Sequence, residues 1–71
     1  MKCIEKALAE ESGKIKKGWW GTTVLGYRVL MRYGHVMVIW KDRKVFWTPP
    51  KNRLTRTDIT GIRDAIKQIE K

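Results

Sequence analysis

Cysteine occurs once, at Cys3, and histidine once, at His35. A lone cysteine excludes an internal disulfide, and one of each cannot close a structural zinc site. Proline occurs only at Pro49 and Pro50. No Gly-rich phosphate motif is present, and Asp42, Asp58 and Asp64 lack the spacing of a calcium loop. No apolar run approaches the roughly 18–20 residues that a membrane helix needs. The first residues alternate charged and apolar side chains without an apolar h-region, so no secretory signal is expected. No cofactor, no metal and no membrane association is expected, and the setting is expected to be reduced and cytoplasmic.

Carboxylates are missing from the middle of the chain. Between residues 14 and 56 stand eleven Lys and Arg against the lone Asp42, a net of +10. Residues 1 to 13 sum to −1 and residues 57 to 71 to zero, which together give the net charge of +9. The excess is therefore segregated. Solubility alone does not require segregation, whereas a polyanionic partner does.

What the chain does have is aromatic bulk: four Trp, two Tyr and one Phe in 71 residues. Side chains of that size make one small core feasible at a length where cores are marginal. The chain is read as a single domain over residues 1–71.

Residues 1 to 12 predict a short helix with Ile4, Ala7 and Leu8 on one face and Gly13 as its stop. GKIKKGWWG, residues 13 to 21, reads as a basic loop. Thr22 to Arg32, Val36 to Lys41 and Lys44 to Thr48 are β-branched and aromatic, and predict three strands joined at Tyr33-Gly34 and Asp42-Arg43. Pro49-Pro50 ends the sheet. The last helix has the strongest signal. Thr55 and Asp58 form a variant capping box, Leu54 and Ile59 a hydrophobic staple, and Ile59, Ile62, Ile66 and Ile69 an apolar stripe. The expected fold is α+β: an N-terminal helix, a three-stranded antiparallel β-meander, and a C-terminal helix packed on one sheet face.

Two-residue turns fix a register, and the register sorts the side chains. One face would hold Leu25, Tyr27, Val29, Met31, Val36, Val38, Trp40, Val45 and Trp47, and would receive the isoleucine stripe. The other would hold Arg28, Leu30, Arg32, His35, Met37, Ile39, Lys41, Lys44, Phe46 and Thr48. That second face carries five basic or titratable groups and no carboxylate, and a phosphate partner would relieve their repulsion.

This pattern predicts a nucleic-acid-binding protein, with DNA favoured over RNA. Arg28, Arg32, His35, Lys41 and Lys44 would meet the nucleic acid on the sheet. Lys14, Lys16, Lys17, Arg43, Lys51, Arg53 and Arg56 would hold phosphates from the loops. Trp19 and Trp20, beside Lys16 and Lys17, would stack on bases, although one of them is equally suited to closing the core. The alternative is an inhibitor or adaptor that sets its basic surface against an acidic protein. No catalysis is expected, because His35 has no local carboxylate and Cys3 has no basic cluster around it.

YRVLMRYGHVMVIWKDRKVFW followed by TDITGIRDAIKQIEK resembles the arm-type DNA-binding domain of phage integrases and the plant ethylene-response-factor domain. In both, a three-stranded sheet enters the major groove with a helix behind it. That likeness implies a phage or mobile-element regulator or accessory factor. A second resemblance is to HicA-type ribonuclease toxins, where Gly34 and His35 would match the glycine and histidine of a Gly-Ser-His motif. Here no serine separates them, and the segment before His35 is much longer than in that family.

Overall fold

The structure, a computed structural model, describes residues 2–9 and 18–71, without the side chains of residues 2 and 3. Lys14, Lys16 and Lys17 lie outside the described residues, as does the expected helix stop at Gly13. The order is α1 (Lys2–Leu8), β1 (Trp19–Val24), β2 (Tyr27–Arg32), β3 (His35–Lys41), β4 (Lys44–Trp47), a 3₁₀ turn (Lys51–Arg53) and α2 (Arg56–Ile69). The strands form one antiparallel meander in the order β1-β2-β3-β4. The fold is α+β as expected, with four strands rather than three.

The extra strand comes from a turn the sequence conceals. Leu25-Gly26 reverses the chain inside the segment read as one strand, with φ of 52° and 83°. Part of the expected GWWG loop thereby becomes β1. Tyr33-Gly34 and Asp42-Arg43 turn where expected, and both residues of each also have positive φ. Such a turn has the twist that antiparallel hairpins favour. Glycine signals the first two. Asp42-Arg43 has none, and is held there by the pairing of β3 with β4.

α2 begins as the sequence indicates. The Thr55 side chain accepts from the Asp58 N–H at 3.2 Å, and the Asp58 carboxylate accepts from the Thr55 N–H at 3.0 Å. Its buried line is Asp58, Gly61, Ile62, Ala65 and Ile69, so the small residues rather than the full isoleucine stripe lie nearest the sheet. Ile59 and Ile66 sit half-buried on the flank.

The two sheet faces differ from the simple alternation. Met31 pairs with Val36 but Leu30 pairs with Val38, which leaves Met37 as an extra residue in β3. Across this bulge Met37 and Val38 both enter the core, although they are sequence neighbours. Trp40 follows them. The core therefore joins Leu30, Met37, Val38 and Trp40 to Trp19, to Ile4 and Ala7 of α1, and to Ile62, Ala65 and Ile69 of α2. Both helices lie on the face that carries Arg28 and Arg32. Tyr27, Met31, Val36 and Trp47, expected beneath α2, lie on the opposite face. A second shift leaves Phe46 as the extra residue of β4, between Val45, opposite Trp40, and Trp47, opposite Ile39.

Trp19 is the centre of this packing. It is 1% exposed, and a Cβ on Gly61 would lie 2.2 Å from its Cζ2. Burying an aromatic of this size contributes about 2–3 kcal/mol. Gly61 is therefore required by the ring above it and not by its own backbone.

Gly61→Ala should destabilise the fold by about 1–3 kcal/mol through overpacking, despite alanine's better helix propensity. In a Trp19→Phe background, which lacks the colliding atoms, the same substitution should be close to neutral. Urea unfolding of the four variants checks this, and additive losses would contradict the contact.

Candidate nucleic-acid interface

Arg28 and Arg32 are held within the fold. Arg28 stacks over Trp40, 5.5 Å from the ring centroid, and donates to the Leu8 carbonyl at the end of α1. That places a cation beside unsatisfied carbonyls at a helix C-terminus, where it is favoured. Arg32 lies 5.5 Å from the Trp19 ring and 5.0 Å from Tyr33. Its Nη1 pairs with Asp58 Oδ1 at 2.5 Å, with both side chains almost covered. Each arginine ties a strand to a helix.

Asp58 thus serves two elements at once. Burial would raise its carboxyl. The hydrogen bond from the Thr55 N–H, the contacts of the Arg32 and Thr55 side chains and the Arg32 charge together outweigh burial, and hold it below its ordinary value.

The opposite face of the sheet is open. By register it holds Trp20, Thr22 and Val24 of β1, then Tyr27, Val29 and Met31 of β2. Val36, Ile39 and Lys41 of β3 follow, then Lys44, Phe46 and Trp47 of β4. No helix covers it. Val29 at its centre is buried by its neighbours, while Trp20, Tyr27, Phe46 and Trp47 are 39–54% exposed. Four large aromatics left in water on one face are unusual for a domain this small.

These rings are ordered among themselves and carry cations. Tyr27 and Phe46 meet edge to face, with centroids 5.5 Å apart and planes at 89°. Lys41 Nζ sits 5.3 Å from the Tyr27 centroid, and Lys44 Nζ 5.7 Å from that of Phe46. Lys41 faces Lys44 directly across the strands. The repulsion foreseen for this pair is present, with aromatic faces beside each ammonium and no carboxylate on this face among the described residues.

Of the residues singled out in the sequence, Lys41, Lys44 and Trp20 share this face. Arg43 is exposed in the turn at its end. Lys51 and Arg53 are exposed on the 3₁₀ turn, and Arg56 at the start of α2. His35 is exposed at the start of β3 and shares a groove with Arg53. Trp19 closes the core, and Arg28 and Arg32 brace the helices. Phe46 was expected on the second face and is exposed, whereas Tyr27 and Trp47 were missed as surface groups. Tyr27 and Trp47 had been assigned to the core, and local sequence did not show that the helices would cover the arginine face instead.

Among the described residues, no three His, Cys, Asp or Glu side chains come together. No helix there is long and apolar enough to cross a membrane.

The Asp58 pair has a definite pH signature. A carboxyl lowered in the folded state contributes stability that is fully present above its unfolded value of about 3.9, and lost as pH falls through the folded value. At pH 7 Asp58→Asn should cost about 3 kcal/mol, since it leaves Arg32 covered and unneutralised. In urea titrations the gap between wild type and variant should narrow on going from pH 7 to pH 3. A constant gap would contradict the pair.

No family model, no curated protein and no solved structure matches the chain.

Proposed function

We propose that the protein binds single-stranded nucleic acid across the open face of its sheet. The observation that carries this reading is the grouping of Trp20, Tyr27, Phe46 and Trp47, all exposed, with Lys41 and Lys44 on one face of a strongly basic chain. Aromatic rings offer stacking surfaces to unpaired bases, and ammonium groups between them meet the phosphates. Stacking reads the π-face that every base has, so the reading covers DNA and RNA strands and requires no fixed sequence.

A duplex fits this face less well. Reading base edges in a major groove uses arginine or amide side chains aimed at the bases. The two sheet arginines point under the helices instead, and flat rings have nothing to stack on inside a paired duplex. The sheet-in-groove mode implied by the integrase-arm resemblance is therefore replaced by a stacking mode. Arg43 at the β3–β4 turn extends the phosphate track from Lys41 and Lys44.

The same rings are the residue types that anchor protein interfaces. That observation keeps an adaptor for an acidic protein as the second reading. Such an adaptor would leave oligonucleotides unbound at low salt.

Fluorescence titration with oligothymidine and oligouridine, beside a duplex of equal length, is the direct test. Both single strands should bind more tightly than the duplex. If about four phosphates are neutralised, log affinity should fall with log salt at a slope near −3. Phe46→Ala and Trp47→Ala should each weaken binding by about 1–3 kcal/mol, or roughly 5- to 150-fold, with little change in stability. Equal affinity for duplex, or variants that bind as wild type, would overturn the proposal.

A further inference from the structure

The open face does not end at β4. Beyond Trp47 the chain passes through Pro49 and Pro50 into the 3₁₀ turn. Between that segment and the start of β3 lies an open groove of about 590 Å³. Trp47 belongs to both the aromatic face and the groove wall, so the two are continuous. The volume lies within the range that holds small organic ligands.

The lining is divided. Trp47, Pro49 and Pro50 supply flat, rigid apolar walls, which a base can lie against without ordering flexible side chains. His35 and Arg53 supply the basic edge, and both are exposed. Among the described residues Asp58 is the one carboxylate in the lining, and its charge is already matched by Arg32. The groove is therefore apolar on one side and offers donors to an anion on the other.

We infer that this groove seats one nucleotide of the bound strand, with the base against Trp47 and the proline wall and the phosphate on Arg53 and His35. The inference rests on the single-strand reading above and adds to it a pocket at one margin of the face. An apolar slot with Arg53 and a histidine donor at its rim matches a nucleotide unit better than it matches a neutral peptide or a free anion. A neutral peptide would leave the Arg53 charge unneutralised, and a free anion would leave the walls unused. The pocket also gives the strand a fixed point, which stacking alone does not.

The test is a nuclear magnetic resonance titration with thymidine monophosphate, thymidine and inorganic phosphate, run beside oligothymidine. Thymidine monophosphate should move the signals of Trp47 and Arg53 together and saturably. Removing the phosphate, or replacing Arg53 by Gln, should weaken this by about tenfold, the cost of one charge-assisted hydrogen bond. His35→Gln, at a second exposed position, should weaken it in the same direction. Shifts confined to Tyr27 and Phe46, or an Arg53 response to inorganic phosphate alone that leaves Trp47 unmoved, would overturn the pocket. Oligothymidine binding with silent groove signals would remove the pocket and keep the open-face reading. Thymidine monophosphate in the groove with no binding of oligothymidine would keep the pocket and remove that reading.

Discussion

The contact between Arg32 and Asp58 decides which way up the sheet lies. Asp58 is fixed by the capping box that starts α2, and Arg32 by its place at the end of β2. Joining them sets the helix over the arginine face. Arg32 also covers Trp19, and Trp19 reaches into the space that Gly61 leaves in α2. One ion pair, one ring and one missing side chain thus bind sheet to helix. A core of this size supplies only about 3–5 kcal/mol, so a covered pair worth a similar amount when broken is not a detail.

The open face follows from that choice. Both helices occupy the side of Arg28 and Arg32, and among the described residues no third element covers the other side. Ordinarily the uncovered face of an antiparallel sheet is polar. Here it is aromatic, with lysines seated beside the rings. The bulge at Met37 makes both faces possible. It turns Val38 and Trp40 inward after Val36 has turned outward, so the sheet feeds a core on one side and still presents large side chains on the other.

Much of this was legible in the sequence where the signals are local. The cap at Thr55, the turns at Tyr33-Gly34 and Asp42-Arg43, and the stop at Pro49-Pro50 each depend on a few adjacent residues. The faces depend on register, and a single extra residue moves every later side chain across the sheet. Nothing in VMVIW distinguishes Met37 as that residue. Leu25 in a left-handed turn hid β1 in the same way, with only Gly26 to mark it. The arginines were misplaced for a further reason. Charge patterning shows where cations are but not which of them find partners, and Asp58 lies 26 residues from Arg32. Lys41 and Lys44 pair across their short turn as counted, but the bulge at Met37 carries them to the face opposite Arg28 and Arg32, with which they had been grouped.

Once Arg28 and Arg32 are subtracted as braces, the basic middle of the chain shifts from a base-reading surface to a stacking surface edged by lysine and by the loop cations. Everything proposed about function depends on that division, and the four tryptophans report it. Solvent paramagnetic relaxation of their ring signals, in the free protein, is the most direct measurement. Trp20 and Trp47 should broaden strongly while Trp19 and Trp40 stay sharp, in keeping with exposures of 42% and 45% against 1% and 7%. Protection of Trp47 together with Trp40 would contradict the account, because it would return both rings to one covered face and leave no platform for a strand to lie on.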